Sequence, residues 1–447
     1  MTASPSTPQT PPGPDGLPVV GSTYAFARDR LGFVTRMARE YGDVVKIEFT
    51  DREFYELAHP DHVRYVLVEN NDNYVKGDFF QRQLGLLGNG LLNSEGEFWR
   101  RQRHLIEPAF HPDRIAGYAG TMTDYTERTL DGWTDGEVRN VHGDMMRLTL
   151  EIVAKALFDV DIREDAADVG RALGDVMEHF RRSTSRPIMV PEWLPTADNR
   201  RYRRASETLD SIVGNIVRRR RRNDDAGDVV SMLLRAETDA GVGMSDDQLR
   251  DEVLTLLLAG HETTAQALTF TWYLLATHPT VERRLHEELA AVLGGRAPTV
   301  EDLDDLPYTE QVVRESMRLY PPVHGITRQS IEADTVGGYH LPAGAQVGLF
   351  QWVVHRDPRF YEDPAAFQPE RWTDSFRSEL HPFAYFPFSG GPRRCVGDRF
   401  ALLEARLVLA TMAQRVHLEA LPESPLELAP AITLRPKGGL RMRVHER

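Results

Sequence analysis

The chain has 447 residues, of which 41% are hydrophobic and 27% are charged, and its formal net charge is −14. These values are typical of a globular protein and exclude global disorder and collagen-like repeats. The acidic balance argues against nucleic-acid binding, and the single cysteine, Cys395, excludes an internal disulfide and a zinc or iron–sulfur site built from several cysteines.

The beginning of the chain is rich in Pro, Ser and Thr, so we expect a flexible segment over 1–18 and a single domain over 19–447. This start lacks the basic and apolar regions of a signal peptide. The longest strongly apolar run, about Val253–Ala259, is far shorter than the roughly 20 residues that span a bilayer. We therefore expect a cytoplasmic protein without a membrane span.

The pattern changes from strands to helices along the first half of the chain. Val44–Phe49 and Phe54–Ala58 predict a β-hairpin, and a helix is predicted to begin near Pro60. Residues 70–97 combine many glycines with apolar side chains, which is typical of a loop that covers a ligand and equally of a surface loop packed on the core. Residues 98–235 have a helical pattern.

A capping box formed by Ser245 and Gln248 predicts the start of a long helix, which His278-Pro279 should end. At 1.5 Å per residue this helix is about 47 Å long, and its apolar composition predicts that it crosses the interior. The later pattern predicts short strands over 323–350 and three further helices, at Thr280–Leu293, Tyr308–Tyr320 and about Gly397–Arg415.

Cys395 lies in a run that favours a thiolate. Glycines before it allow a flat ligand to approach the backbone, and the helix that follows directs free N–H groups towards the sulfur. Together with Arg393, this environment lowers the pKa of a thiol. A lone cysteine is more often a small buried apolar residue, but the spacing Phe-x-x-Gly-x-Arg-x-Cys-x-Gly from Phe388 to Gly397 favours a functional sulfur.

This run resembles the haem-binding loop of the cytochrome P450 family, the haem-thiolate monooxygenases. Further family motifs follow in the family order: the Pro-rich segment 11–21, Trp99-x-x-x-Arg103, Ala259–Thr264, Glu315-x-x-Arg318 and Pro369-Glu-Arg371-Trp372. The resemblance implies a mainly α P450 fold over 19–447, with a large helical bundle around a haem and a smaller β-rich lobe. Ala259–Thr264 and Tyr385–Glu404 are similar to the soluble prokaryotic branch that contains fatty-acid and carotenoid hydroxylases.

The resemblance implies that Cys395 is the proximal iron ligand of a haem b. It also implies that the haem propionates are held by polar side chains, namely Trp99, Arg103, Arg328, His355 and Arg393. One or two of these could instead bond to the backbone, which is the usual fate of a buried polar group. The remaining predicted haem contacts are Ala259, Gly260, Phe388 and Gly397, and the implied structural network behind the haem loop is Glu315, Arg318 and Arg371.

Two side chains of the long helix are candidates for proton transfer. Thr263 can bond back to the carbonyl of Ala259, which bends a helix and opens a site for water. A carboxylate such as Glu262 is costly inside an apolar helix unless it has a partner or a role. The residues alone are equally compatible with a helix break and a solvated Glu262. The family resemblance implies that Glu262 and Thr263 deliver protons to iron-bound oxygen.

The predicted substrate pocket is apolar and therefore indicates a lipophilic substrate, such as a fatty acid, a carotenoid or another terpenoid. The resemblance implies that one oxygen atom of O2 is inserted into a C–H bond of this substrate. The expected pocket residues are Phe79, Phe80, Leu84, Leu87, Leu258, Ala259, Val323, Ile326, Ile432 and Leu434.

The chain shows no segment that would bind a flavin or NAD(P)H, so electrons from NAD(P)H are expected to arrive through separate proteins, such as ferredoxin and ferredoxin reductase. The arginines near Cys395, which are Arg393, Arg394 and Arg399, could form the docking face for an acidic carrier. Two alternatives stay open: a peroxide-driven haem peroxygenase and a non-enzymatic haem gas sensor or carrier.

Overall fold

The computed structural model describes residues 9–50, 52–77, 85–162, 166–185, 191, 193–222, 228–235 and 243–447. The predicted pocket residues Phe79, Phe80 and Leu84 lie outside these ranges. Part of the segment expected to be flexible, 9–18, has defined backbone contacts. Gln9 forms an isolated parallel bridge with Tyr339, and the carbonyl of Pro12 accepts a hydrogen bond of 2.8 Å from the amide of Lys46.

Contacts within the chain define two compact units, each built from separate stretches of sequence. The first contains the described residues of 1–82, 318–366 and 373–395, and the second contains those of 83–317, 367–372 and 396–447. The first unit holds a five-stranded sheet, and the second holds most of the helices. Strand-rich and helix-rich parts therefore alternate along the sequence.

The sheet of the first unit has the strand order β1-β2-β8-β5-β3. Neighbouring strands are antiparallel except β2 and β8, which are parallel. The predicted hairpin is confirmed as β1 and β2, which pair from Val44 opposite Leu57 to Glu48 opposite Glu53. The strands of this unit are β1 (Val44–Glu48), β2 (Glu53–Leu57), β3 (Tyr74–Val75), β5 (Ile326–Ser330), β6 (Asp334–Val336), β7 (Tyr339–Leu341) and β8 (Gln346–Leu349), with β6 and β7 forming a separate pair.

Apolar side chains on both faces of this sheet are buried, which holds the surrounding short helices in place. The helix predicted near Pro60 is present, and a π-helix over Tyr65–Glu69 continues it. The α-helices of the first unit are α1 (Thr23–Arg28), α2 (Arg30–Tyr41), α3 (Pro60–Arg64), α14 (Gln351–Val354) and α15 (Asp374–Glu379), and its 3-10 turns are Asn71–Asn73 and Gly391–Arg393.

Helices dominate the second unit. Its α-helices are α4 (Gly96–Ile106), α5 (Pro112–Gly117), α6 (Ala119–Asp131), α7 (Val141–Phe158), α8 (Ala166–Ser185), α9 (Ala197–Arg222), α10 (Val229–Arg235), α11 (Asp246–Thr277), α12 (Pro279–Leu293), most of α13 (Pro307–Leu319) and α16 (Asp398–Arg415). Its 3-10 turns are Gly85–Leu87, Glu107–Phe110, Glu301–Asp305 and Pro369–Arg371.

The second unit also contains small antiparallel β structures near the end of the chain. The strand order β4-β12-β9 gives a three-stranded sheet, and β10 and β11 form a hairpin. These strands are β4 (Val138–Asn140), β9 (Val416–Ala420), β10 (Leu428–Pro430), β11 (Leu434–Pro436) and β12 (Arg441–Glu446). Within the described residues, no helix combines the length and apolarity that a membrane crossing requires.

The predicted long helix is confirmed as α11, and most of its side chains are buried. Its 32 residues extend for about 48 Å. The Ser245 hydroxyl accepts a hydrogen bond from the Gln248 amide, and the Gln248 side chain accepts one from the Ser245 amide, which completes the capping box. The helix ends at Thr277, because Pro279 begins α12. The predicted α12, α13 and α16 agree with the structure within about one residue at each end.

Candidate functional site

A short open strip interrupts the buried surface of α11 at its middle. Ala259 is exposed and Thr263 is half-buried, although their neighbours Leu258 and Thr264 are buried. The Thr263 hydroxyl donates a hydrogen bond of 2.9 Å to the Ala259 carbonyl, as the sequence predicted. Residues four apart share one face of a helix, so the small Ala259 side chain and the Thr263 hydroxyl border the same open space.

Gly260 has a different environment from the one expected for a haem contact. A Cβ atom at this position would lie 3.2 Å from the Val153 side chain on α7. The small size of Gly260 therefore allows α7 to pack closely against α11. The predicted haem contact at Gly260 remains a prediction, because the observed contact concerns only the packing of Val153.

The carboxylate of Glu262 is buried, with 2% of the residue exposed, and it is paired. Arg435 of β11 donates to Glu262 Oε1 from Nε at 2.8 Å, and its Nη2 lies 2.7 Å from the same oxygen. The Thr433 hydroxyl, just before β11, also donates to Oε1. These contacts exclude the solvated Glu262 that the sequence left open. The sequence analysis missed Thr433 and Arg435, because both are separated from Glu262 by more than 170 positions.

Two histidines and a glutamine lie near this ion pair. Burial and the nearby Arg435 lower the pKa of His142 on α7 to about 4, so this histidine is neutral at pH 7. Its Nε2 lies 3.1 Å from Gln266 Nε2. Burial also lowers the pKa of His261, whose Nδ1 lies 2.7 Å from the Leu257 carbonyl. His261 is therefore a packed residue of the helix.

The loop before Cys395 is held by its backbone. Gly391 has a φ of +64°, and a Cβ atom there would lie 1.8 Å from the Leu67 carbonyl oxygen, so only glycine fits this close approach. The Cys395 amide donates a hydrogen bond of 3.0 Å to the Phe388 carbonyl. This arrangement leaves the cysteine exposed, and α16 begins three residues later, after its N-cap, Gly397.

Two predicted propionate contacts of the first unit are buried. His355 is fully buried, and its Nε2 accepts a hydrogen bond of 2.9 Å from the Phe386 amide. The proton of the neutral imidazole therefore lies on Nδ1, which makes Nδ1 a donor. Arg328, on β5, is 7% exposed and donates to the Thr327 carbonyl at 2.8 Å. Donors of this kind are suited to a carboxylate group.

The other predicted propionate contacts lie on different elements. Trp99 and Arg103 are four residues apart on α4, which places them on one face of that helix. Trp99 is buried, and Arg103 is half-buried with its Nη2 3.6 Å from Glu107 Oε1. Arg393 closes the 3-10 turn before Cys395 and is half-buried.

The structure brings Glu315 and Arg371 together in the second unit. Glu315 is fully buried and accepts hydrogen bonds from Arg371 Nε at 3.0 Å and from the Gln368 amide at 3.0 Å. Its other oxygen accepts one of 2.9 Å from the indole of Trp372. The sequence analysis treated Trp372 only as the aromatic residue of a motif and missed its hydrogen bond.

Arg318, which lies one turn after Glu315, is also fully buried and anchors backbone carbonyls of the first unit. It donates to the carbonyls of His355 at 2.9 Å, Pro364 at 2.7 Å and Ala366 at 3.0 Å. Its guanidinium also lies 4.9 Å from the centre of the Tyr361 ring. In addition to the expected network of charged side chains, the structure therefore contains hydrogen bonds from Arg318 to main-chain carbonyls.

The described members of the predicted pocket differ in burial. Val323, Ile326 and Ile432 are half-buried, whereas Leu258 is 7% exposed. Leu87 and Leu434 are at most 1% exposed, so they pack within the protein and present almost no surface to an open space. Their predicted place in the pocket wall remains a prediction. The sequence could not separate the two groups, because all of these side chains are equally apolar.

The residues present fit a haem. A haem requires an axial ligand for its iron and donors for its propionates. The Cys395 thiol is exposed on a loop that its backbone bonds hold in shape, and a thiolate sulfur is a suitable iron ligand. His355, Arg328, Arg103 and Trp99 supply N–H donors. The open strip at Ala259 and Thr263 offers room beside α11 for a flat group.

Comparison with known proteins identifies the family of this chain. The family model for Cytochrome P450 matches residues 11–440. The chain is 39% identical to cyclooctat-9-en-7-ol 5-monooxygenase of Streptomyces melanosporofaciens, with 92% of this chain and 90% of that protein covered. It is 32% identical to pentalenene oxygenase of Streptomyces avermitilis, with 97% of both chains covered.

The fold is similar to solved structures of the same family. The cyanobacterial CYP120A1 structure with bound retinoic acid has a TM-score of 0.87 and 28% identity, and 99% of this chain and 100% of that chain are covered. The haem domain of cytochrome P450DA has a TM-score of 0.89 and 28% identity, with 98% of both chains covered. The predicted mainly α fold is thereby confirmed. The chain belongs to the cytochrome P450 family and is a haem monooxygenase.

Proposed function

We propose that this P450 inserts one oxygen atom of O2 into a C–H bond of a cyclic terpenoid. The observation that carries this proposal is the open strip on α11, where the small Ala259 and the Thr263 hydroxyl face the same space. An apolar pocket favours a lipophilic substrate. Among the lipophilic classes, terpenoids are supported by the names of the two Streptomyces relatives, which refer to cyclooctat-9-en-7-ol and pentalenene.

In this proposal, Cys395 holds a haem b iron, and His355, Arg328, Arg103, Trp99 and Arg393 hold its propionates. When bound, the haem supplies the activation of O2, and its thiolate ligand favours cleavage of the O–O bond. The chain itself supplies the position of the substrate, the exclusion of water and the delivery of protons. Because the Cys395 loop is fixed by Gly391 and by a backbone bond, the sulfur is preorganised for its role.

Proton delivery is assigned to Thr263 and Glu262. The Thr263 hydroxyl donates to the Ala259 carbonyl, so its oxygen is available to accept a hydrogen bond from a water or a substrate-side group. Glu262, the preceding residue along the helix, carries a carboxylate that can take up a proton and release it again. Positioned proton donors typically accelerate such steps by about 10²–10⁴-fold.

Electrons are proposed to come from NAD(P)H through ferredoxin reductase and ferredoxin, as separate proteins. Arg394 and Arg399 are exposed and lie on either side of Cys395 in sequence. Exposed arginines can guide an acidic partner even when the whole protein is acidic, because close charges dominate over distant ones at physiological salt. We place this system in the cytoplasm.

The proposed function is tested by incubating the purified haem-loaded protein with cyclic diterpenes and sesquiterpenes. We expect a substrate to shift the haem spectrum from low to high spin, and we expect a hydroxylated product when NAD(P)H, ferredoxin and its reductase are present. Fatty acids are the matched lipophilic controls that are not terpenoids. Turnover of fatty acids alone would overturn the terpenoid assignment.

The same incubation separates the two alternatives. Product formed with hydrogen peroxide as efficiently as with the redox partners would indicate a peroxygenase. The absence of product under every condition, together with reversible binding of carbon monoxide or nitric oxide, would indicate a gas sensor or carrier. Neither alternative explains a buried carboxylate next to Thr263.

A further inference from the structure

The C-terminal hairpin carries the groups that hold the Glu262 carboxylate. β10 and β11 pair from Leu428 opposite Pro436 to Pro430 opposite Leu434, and the Ala431 amide donates to the Thr433 carbonyl at 3.0 Å to close the turn. The hairpin therefore has a fixed shape, in which Thr433 and Arg435 are two residues apart. We propose that Arg435 is a positioning residue, which together with Thr433 orients the Glu262 carboxylate for proton transfer. The proposal rests on the proposed role of Glu262.

The pattern of donors supports positioning over simple stabilisation. Arg435 Nε, Arg435 Nη2 and the Thr433 hydroxyl all approach Oε1 of Glu262. A structural arginine–carboxylate pair commonly uses both carboxylate oxygens. Within the described residues, no hydrogen bond ends on Glu262 Oε2. Arg435 and Thr433, which we call the clamp, thus fix the carboxylate through Oε1 and leave Oε2 to exchange a proton.

Among the groups near Glu262, Arg435 carries the positioning role, and the neighbouring histidines do not share it. His142 faces the pair from α7 and His261 lies next to Glu262 on α11, and burial lowers the pKa of both imidazoles. Gln266 contributes an uncharged amide near His142. Arg435 is therefore the cation that balances the buried carboxylate among the described residues. An isolated carboxylate at this depth would be strongly unfavourable.

The test uses four variants of the haem-loaded protein. Arg435→Ala removes both guanidinium contacts, Arg435→Lys keeps the charge but only as a point donor, and Thr433→Val removes the hydroxyl contact. Lys437→Ala is the matched control, because Lys437 pairs with Glu427 at 2.8 Å at the exposed base of the same hairpin. The infrared carboxylate band of Glu262, identified by its loss in Glu262→Gln, reports the clamp without turnover.

We expect Arg435→Ala to shift this band and to lower the amount of product per NAD(P)H about tenfold, with substrate affinity unchanged. Arg435→Lys should restore part of the band position and part of the product yield. Thr433→Val should change both quantities less than Arg435→Ala does, and Lys437→Ala should change neither. In the Glu262→Gln background, Arg435→Ala should have no further effect on product yield, because the group it positions is gone.

An unchanged band and yield in Arg435→Ala would overturn the proposal. An equal loss of product yield in Lys437→Ala would also overturn the proposal, because that result would mean that only the folding of the hairpin is required. If the wild-type protein oxidises none of the terpenoids but the band still shifts in Arg435→Ala, the clamp is supported and the substrate assignment fails instead.

Discussion

The buried carboxyl groups of Glu262, Glu315 and Glu56 have two different kinds of environment. Glu262 and Glu315 are buried with cationic partners, which offset the loss of water. Glu56 on β2 is fully buried and has no hydrogen-bond partner among the described residues, and burial raises its pKa well above the usual value. A cationic partner lowers the cost of burying a carboxylate, whereas Glu56 avoids that cost by keeping its proton.

This difference predicts a pH-dependent stability at Glu56. Its unfolded-state pKa is near 4.5 and its folded-state pKa is higher, so the folded protein binds the extra proton and the free energy of unfolding decreases as the pH rises from about 4.5 towards the folded-state pKa. Glu56→Gln should remove this decrease, which for a single proton is at most about 1.4 kcal/mol per pH unit, and should raise the free energy of unfolding at neutral pH. Urea unfolding from about pH 5 to about pH 8 measures the effect.

The control for Glu56 is Glu40→Gln on α2, because Glu40 is exposed and its loss should leave the pH dependence unchanged. A wild-type protein whose stability does not fall over this pH range would show that Glu56 is solvated or paired in solution.

Thr263 gives a second prediction at the scale of one residue. Thr263→Val should preserve NAD(P)H consumption but reduce the product formed per NAD(P)H at least about tenfold, with hydrogen peroxide released instead, because the hydroxyl that orders the proton source is lost. Oxygen uptake, peroxide and product are measured together. Thr277→Val is the matched control, since the Thr277 hydroxyl makes the same bond to the carbonyl four residues earlier, at 2.9 Å, but at the end of the helix. Equal product yields in both variants would contradict the assignment.

Among the elements, α11 has ends that are set by local sequence signals and a middle that is set by tertiary packing. Its start depends on Ser245 and Gln248, and its end on Pro279, all of which lie within or beside the helix. Its middle depends on groups from elsewhere: Val153 packs on Gly260, and the Thr149 hydroxyl donates to the His261 carbonyl at 2.9 Å. The ends were therefore predictable from the sequence, whereas the environment of the middle was not.

The capping box gives a prediction at the scale of the element. Ser245→Ala removes the side-chain acceptor for the Gln248 amide and should lower the free energy of unfolding by about 1 kcal/mol. Chemical unfolding followed by circular dichroism measures the change. Ser211→Ala, at an exposed site within α9, should have almost no effect. A loss in Ser245→Ala no larger than that in Ser211→Ala would show that the cap contributes little to this helix.

At the scale of the whole molecule, Arg318 links α13 to a later part of the chain through hydrogen bonds. Its three bonds to backbone carbonyls fix the path of residues 355–366, which includes His355. A guanidinium can satisfy several acceptors at once because its N–H groups spread in one plane. The geometry of His355, and through it the proposed propionate site, therefore depends on a residue of α13.

We expect Arg318→Ala to yield protein with little or no haem, because three carbonyls lose their donor, and leaving the buried His355 carbonyl without one costs about 1–3 kcal/mol. The haem content per chain and the Soret band of the reduced, carbon-monoxide-treated protein measure the effect. Arg314→Ala is the control on the same helix, because Arg314 pairs with Glu310 and makes a local contact. Normal haem loading of Arg318→Ala would contradict this dependence.

The charge distribution gives a second prediction for the whole molecule. Arg394→Glu should raise the ferredoxin concentration needed for half-maximal rate by about tenfold at low salt, and this difference should shrink as salt screens the charges. Any peroxide-driven turnover should be unchanged, because it needs no carrier. Arg39→Glu, at an exposed position of α2, is the control of equal charge. Equal effects of both variants would indicate a general charge effect without a docking face.

The sequence by itself determined the family motifs, the limits of the long helices and the single sulfur available for iron. These features depend on residues that are close together in the chain, because caps, prolines and glycines act within one or two turns. The back-bond from Thr263 to Ala259 was predictable for the same reason.

Only the tertiary structure decided the partners of the buried charges. Arg435 reaches Glu262 from 173 positions away, and Arg371 and Trp372 reach Glu315 from 56 and 57 positions away. It also decided which apolar side chains are fully buried, as at Leu434, and that Gly260 accommodates Val153. Such contacts depend on how distant segments pack, and a buried charge accepts whichever donor the fold brings to it, which no local pattern encodes.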